Sequence, residues 1–245
     1  MTAALYYVEP GSLDGLGSGD VVVLDGDEGH HAARVKRARV GEELLVADGG
    51  GLIAHSSVES VDGGRVALRV VAVESVGRPA PRFVLAQALA KGGRDEQAIE
   101  TATELGVDEV IAWQAERSIV RWSGKETKAL AKWTGVVRAA GKQSRRATLP
   151  TVSGPVSSAG LADRAGGCAL AFVLHEEADR RLTEVALPDS GDVLIAVGPE
   201  GGIAPAELDR LAAAGAVPVR LGPEVLRASS AGPAALAVLV SRTRW

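Results

Sequence analysis

Along residues 21–76 apolar and polar positions alternate in short runs, VVVLDG, EELLVADG, GLIAHSSVESV and RVALRVVAVESV, separated by DGGG and DGG turns. A period of two with β-branched residues predicts half-buried strands, and the glycine-rich breaks predict tight turns between them. Residues 1–75 therefore read as a small closed or rolled β-sheet. The segment Ser75–Arg82, SVGRPAPR, has two prolines and a glycine and no apolar period, so the boundary between two domains, 1–75 and 76–245, falls there. Beyond it the pattern changes. Apolar runs FVLAQALA, EVIAW, CALAFVL, VLIAVG and VPVRLG alternate with the helical segments RDEQAIETATELG, KETKALAKWTGVVRAAGKQS, PAELDRLAAAG and SAGPAALAVLVSRTR. That succession predicts an α/β domain built on a parallel sheet covered by helices.

One stretch of this second domain joins a continuously apolar strand to a helix through a turn rich in glycine: DVLIAVGPEGGIAPAELDRLAAAG, Asp192–Gly215. Pro205 suits the first turn of the helix and Glu207 its positive end. The loop Gly198–Gly202 then lies at the carboxyl end of a strand, where α/β proteins bind ligands, although an ordinary tight turn reads the same way in isolation. Two further strands end similarly, at Leu174-His175-Glu176 and at Leu221-Gly222-Pro223. Three such loops at one sheet edge predict a pocket.

Composition narrows the class. With 46% hydrophobic and 24% charged residues the chain is that of a globular protein, and no window has the uninterrupted apolar length of a membrane span. The start, MTAALYYVEPGSLDG, has no basic segment followed by an apolar one, so a cytoplasmic location is expected. The single cysteine, Cys168, sits in an apolar run and reads as a small core residue, which leaves no zinc site to expect. A net charge of −4 argues against indiscriminate polyanion binding. The charges are uneven, however. Between Arg117 and Arg146 nine basic residues face one acid, Glu126, and Arg34, Lys36, Arg37 and Arg39 form a second cluster without an acid. Such patches suit a phosphate-rich partner, or else a solvated helix face.

Familiar catalytic signatures are missing. GPEGG is not followed by Lys-Ser/Thr, KGGR at Lys91–Arg94 is half a phosphate loop, and neither GxSxG nor HExxH occurs. Of the histidines, His30 and His31 precede the first basic cluster and could touch RNA, while His175 ends a strand, where a histidine is commonly a surface residue.

The motifs that remain share a resemblance. LGPEVLRASSAGPAALAVL, preceded by GPEGGIAPAE, resembles the C-terminal region of the SPOUT class of RNA methyltransferases. The ordered ensemble HHAARVKRARVGEELLVADG, AKGGRDEQAIETATELGVDEV, AERSIVRW, KQSRRATLP, AVGPEGG and LGPEVLR is similar to the RsmE family, which methylates N3 of a uridine in 16S ribosomal RNA. The resemblance runs along nearly the whole chain. It implies an N-terminal PUA-like β-barrel that helps bind RNA and a C-terminal SPOUT-type parallel sheet with a deep trefoil knot within residues 170–245, an exception to the rule that chains do not thread.

It also implies roles. S-adenosylmethionine would be held largely by backbone of the knot loops, at Leu174, His175, Glu176, Gly198, Pro199, Glu200, Gly201, Gly202, Leu221, Gly222, Val225, Leu226 and Arg227. Arg227 becomes the candidate for stabilising anionic charge on the uracil carbonyls, since guanidinium offers fixed donors. Glu200 is a candidate proton acceptor, or else a residue that only caps the next helix or holds its loop. RNA contacts are expected from His30, His31, Arg34, Lys36, Arg37 and Arg39 and from Arg117, Arg121, Lys142, Gln143, Arg145 and Arg146. The expected partners are 16S rRNA within the small ribosomal subunit and a second copy of the chain, as a homodimer through the C-terminal domain. Two departures stand out: Ala228-Ser229-Ser230 replaces a Thr-Glu-Thr-like segment, and Arg145 stands where relatives tend to have glycine. The first leaves open a non-catalytic ribosome-assembly factor, and a methyltransferase acting on another RNA is the second alternative.

Overall fold

The computed structural model describes residues 3–245 and divides the chain into two compact units. The first comprises the chain up to Arg78 together with Gly141–Leu149; the second comprises Pro79–Ala140 and Pro150–Trp245. The segment Gly141–Leu149, which the sequence placed in the second domain, thus belongs to the first unit.

In the first unit five strands form one sheet, ordered β1 (Ala4–Tyr7), β3 (Glu43–Ala47), β4 (Leu52–Asp62), β5 (Arg65–Ser75), β2 (Val21–Leu24). All pairings are antiparallel except β1 with β3. Alternation does what its period requires: in β2, Val22 and Leu24 are buried while Val21 and Val23 face outward. The two long strands lose register between His55 and Ser56 and between Val58 and Ser60, and such bulges bend and twist a ladder. On the inner face Tyr6, Leu24, Leu44, Val46, Val58, Val66 and Leu68 form the core.

This unit is not wholly β, as the sequence had suggested. A short helix α1 (Gly26–His30) runs on into a π-helical turn, His31–Val35. Its anchor is Ala32, fully buried in the same core. A side chain on Gly29 would lie 2.3 Å from the Gly64 carbonyl oxygen and 2.6 Å from that of Leu24, so only glycine lets the helix pack so closely on the strands.

The second unit is a six-stranded parallel sheet in the order β11 (Val217–Val219), β9 (Leu170–Leu174), β10 (Asp192–Val197), β6 (Arg82–Ala88), β7 (Glu109–Trp113), β8 (Thr151–Val156). Central strands β6 and β10 are buried on both faces, which explains the continuous apolar runs 83–86 and 193–197 within them. Helices α2 (Arg94–Glu104) and α6 (Ala228–Ser241) pack on each other and on β6, and α6 also meets β10. Helices α4 (Ser158–Gly166) and α5 (Pro205–Ala213) pack on each other; α3 (Glu126–Gln143) is fixed near its middle by Trp133, edge-on to Trp122 at 5.1 Å.

At the amino ends of β6, β7 and β10 an ionic network closes the sheet: Arg164 Nη2 lies 2.5 Å from Asp192 and 3.1 Å from Glu109, and Arg82 Nη1 3.1 Å from Asp192. Cys168 lies beside it, partly buried against the core, and its thiol pKa is raised by burial and by the neighbouring carboxylates against the pull of Arg164. The opposite edge, with the carboxyl ends of the strands, is left for loops.

Candidate active site and basic surface

Those loops enclose a cavity of about 440 Å³, within the range of small-molecule sites. It is lined by Leu174, His175 and Glu176 after β9, by Val197, Gly198, Pro199, Glu200, Gly202 and Ile203 after β10, and by Val225, Leu226, Arg227, Ala228 and Ala231 at the entry to α6. The strand-end loops after β9 and β10 thus converge here with the segment that leads into α6. Leu221 and Gly222 line a smaller adjoining cavity of about 80 Å³, shared with Leu174, His175, Glu176, Val225 and Leu226. Gly201 lines neither; a side chain there would come within 3.3 Å of Arg117 Cβ, so its part is close packing of the loop against Arg117.

The GPEGG loop is shaped by contact. Gly202 has φ +73°, the left-handed region glycine favours, and its amide donates to the Pro199 carbonyl at 2.9 Å. A Cβ on Gly198 would meet Ile203 Cγ1 at 2.6 Å. Glu207 holds the far side of the loop: buried, its carboxylate accepts from the amides of Ala204 (3.1 Å) and Glu116 (2.8 Å) and from the Ser158 hydroxyl. The helix-start role read from the sequence for this glutamate is present as a bond back to the residue before the helix.

Arg94 was missed. It follows Gly92 and Gly93, both at positive φ, at the carboxyl end of β6, and its Nη1 lies 3.0 Å from Glu200 Oε1 while the side chain lines the cavity. The signal was there in KGGR, set aside as half a phosphate loop; strand β6 neighbours β10, so the two loops had to meet. Burial pushes the Glu200 carboxyl up, but bonds from its own amide, from Arg94 and from the Lys91 amide outweigh it and hold the group below the usual glutamate value. A carboxylate so held is a weak base. His175 also lines the cavity, but its Nδ1 accepts from the Glu177 amide at 3.2 Å, a turn contact. Arg227 caps α6 through its carbonyl, and its exposed side chain has no hydrogen-bond or ionic partner among the described residues.

The basic candidates separate. Within the first unit, the end of α3 is fixed against α1: Lys142 Nζ lies 2.7 Å from Glu28 and 5.0 Å from the centre of the Tyr6 ring. The cluster Arg34–Arg39 and the segment Lys142–Arg146, a hundred residues apart in sequence, therefore belong to one surface region. Lys142 itself is structural there. So is His31, half-buried with its ring 5.9 Å from Tyr6, its Nδ1 without a partner and its pKa lowered by burial and then by Lys142 and Lys36. Arg146 is half-buried too, its Nε bound to the Thr148 carbonyl at 3.1 Å. His30, Arg34, Lys36, Arg37, Arg39, Gln143 and Arg145 remain exposed. In the second unit Arg117 Nη1 donates to the Gly201 carbonyl at 3.2 Å and Arg121 Nη2 to that of Glu116 at 2.7 Å.

Comparison with known proteins agrees with both units. Residues 78–240 match the family described as an RNA methyltransferase domain, and residues 24–71 match the RNA methyltransferase PUA domain. Fold and matches together define an α/β RNA methyltransferase domain preceded by a PUA domain. The chain is 47% identical, over its whole length and 94% of the relative's, to ribosomal RNA small subunit methyltransferase E of Mycobacterium bovis. Among solved structures it is similar to a methyltransferase from Legionella pneumophila in complex with S-adenosylmethionine, with a TM-score of 0.87, 29% identity and 99% and 98% of the two chains covered. The ribosomal RNA small subunit methyltransferase E of Neisseria gonorrhoeae, bound to S-adenosylmethionine, gives a TM-score of 0.87 at 25% identity, with the same coverage. The chain belongs to the family of ribosomal RNA small subunit methyltransferase E.

Proposed function

We propose that this protein methylates N3 of a uridine in the RNA of the small ribosomal subunit, with S-adenosylmethionine as donor, acting as a homodimer with a knotted C-terminal region. The observation that carries the reading is the strand-end cavity, in a chain related over its full length to enzymes of that name. The residues present fit the cofactor: Leu174, Val197, Ile203, Leu226 and Ala231 offer an apolar wall, Gly198 and Gly202 bring backbone close, and Glu176 supplies negative charge for a cation, that of Glu200 being paired with Arg94. When bound there, S-adenosylmethionine supplies an electrophilic methyl group on a sulfonium.

The chain's own residues have three tasks. The nucleophilic nitrogen must be held in line, its proton must be passed to solvent water, and negative charge on the flanking carbonyl oxygens must be met. Arg227, lining the cavity with unpaired donors, meets the last. Arg94 and Glu200 hold each other at 3.0 Å, and the low basicity of the carboxylate favours the holding role for Glu200 over proton acceptance. The exposed cations of the first unit, with Arg117 and Arg121, supply phosphate contacts.

The decisive experiment incubates the protein with labelled S-adenosylmethionine and unmethylated small subunits, beside protein-free RNA, and identifies the product nucleoside by mass spectrometry. N3-methyluridine is expected. A different methylated nucleoside refutes the atom, and no label with no cofactor binding favours the assembly-factor alternative. Arg227→Ala is expected to slow transfer about 100-fold, the scale of one lost oxyanion donor, with cofactor affinity nearly unchanged; equal losses in both would remove the assignment.

A further inference from the structure

Two arginines of the first unit have a backbone that arginine seldom adopts. Arg37 has φ +54° and Arg145 φ +55°, and among the described residues these are the two non-glycine positions with positive φ. L side chains are disfavoured there by contact between Cβ and the neighbouring carbonyl.

Each arginine ends a helix. After α3 the Arg146 amide returns to the Gly141 carbonyl at 2.9 Å and the Arg145 amide to that of Lys142 at 3.3 Å, the paired closure whose left-handed residue is ordinarily glycine. After the π-helical turn the Lys36 amide donates to His31 and the Ala38 amide to Ala32, with Arg37 between them in the left-handed position. Nothing in the fold repays the choice of arginine. Both side chains are exposed, and neither guanidinium has a hydrogen bond or an ion pair among the described residues. A cation near a helix carboxyl end gains from the dipole, but that gain is open to any residue of the last turn, and Lys142 already stands there. The two ends also adjoin one cluster: Lys142 reaches Glu28 and Tyr6, and Tyr6 stacks obliquely on His31.

We infer that Arg37 and Arg145 are dedicated phosphate contacts, each aimed from a helix end by its left-handed backbone, and that they hold the RNA strand against the first unit. Backbone strain retained where packing gives no reason for it is the mark of a functional position. The other exposed cations of the cluster, Arg34, Lys36 and Arg39, lack the positive φ and contribute a general field. The inference rests on the RNA methyltransferase reading.

Glycine and lysine variants at each position test it. Arg37→Gly and Arg145→Gly remove the charge but relieve the backbone, so the folded protein is expected to melt at the same temperature or higher. Affinity for small-subunit RNA, measured by fluorescence anisotropy over a range of salt, is expected to fall about fivefold for each, as for an exposed ionic contact. The slope of log affinity against log salt should become shallower by ~0.7–0.9 per arginine. Arg37→Lys and Arg145→Lys, which keep the charge, are expected to retain most of the affinity. Unchanged affinity in the glycine variants overturns the inference, as does a lowered melting temperature at full affinity, which would assign the arginines to packing. Lysine variants as weak as the glycine ones overturn the phosphate assignment. A parent protein that binds neither RNA nor assembled subunits removes the function proposed above, and this inference with it; parent binding that the variants share removes this inference alone.

Discussion

Glu200 shows how a neighbour decides what a carboxylate can do. From the sequence it could accept a proton or hold a loop; the structure adds Arg94 at 3.0 Å and two backbone amides, and these hold its pKa below the usual glutamate value although burial works the other way. Removing a general base costs about 10²–10⁴ in rate. Glu200→Gln keeps an acceptor for Arg94 and is expected to leave the methylation rate within about tenfold; a loss beyond 100-fold would restore Glu200 as the base. The linkage has a definite sign. A carboxylate whose folded pKa lies below its unfolded value stabilises the fold fully above the unfolded value, near 4.5, and that stability is lost as pH falls through the folded pKa. Unfolding measured between neutral and acid pH should therefore show a flatter acid limb for Glu200→Gln than for the parent. Arg94, quoted in KGGR without a role, acquires one only when the parallel sheet sets β6 beside β10.

Among the elements, Gly29 makes the sharpest claim. Its helix approaches the β2 end so closely that a methyl group would overlap two carbonyl oxygens, both backbone and unable to swing away. Gly29→Ala is expected to destabilise the protein by about 1–3 kcal/mol, as overpacking does, in urea unfolding followed by circular dichroism; a variant of parental stability would show that α1 can shift outward freely. The same helix marks where sequence reading failed. Its five residues and the following turn bury little beyond Gly29 and Ala32, so no 3.6-residue apolar stripe announces them. Helix α4 was missed for a like reason: Leu161, Ala162 and Ala165 are its buried side, one large residue and two small. Strand β8, TVSGPV, carries a glycine and a proline that argue against a central strand, and it is indeed an edge strand, where proline is tolerated. Strand β1 is too short to show a period. By contrast the long strands of both sheets and helices α2, α3 and α5 were legible, because each has one buried face or two. The cavity was legible for a different reason, since three strand ends with glycine, proline or charged turns must share the carboxyl edge of a parallel sheet.

At the scale of the molecule, the second unit is closed by its own last residues. Arg244 reaches back across the chain to donate to Asp108 at 2.6 Å and to the carbonyls of Gly106 and Pro81 at 2.7 Å each, with its guanidinium 4.5 Å from the Phe83 ring centre. Asp108 is buried and also accepts from the Phe83 amide at 2.8 Å. Arg244→Ala would leave that carboxylate short of its counter-charge, and a loss of about 3 kcal/mol is expected in thermal or urea unfolding; less than 1 kcal/mol would mean that water replaces the arginine. A chain of net −4 gathers Arg34, Lys36, Arg37 and Arg39 on the first unit, while the proposed cofactor cavity lies wholly in the second. If phosphate contacts supply most of the affinity for RNA, replacing those four by neutral residues should lower RNA affinity by at least tenfold at 0.1 M salt and flatten its salt dependence. S-adenosylmethionine affinity, measured by calorimetry, should stay at the parental value, because none of the four lines the cavity. The outcome that would refute this division is a fall in both affinities together; unaltered RNA binding would instead leave recognition to Arg145 of the first unit and to Arg117, Arg121 and the cavity edge of the second.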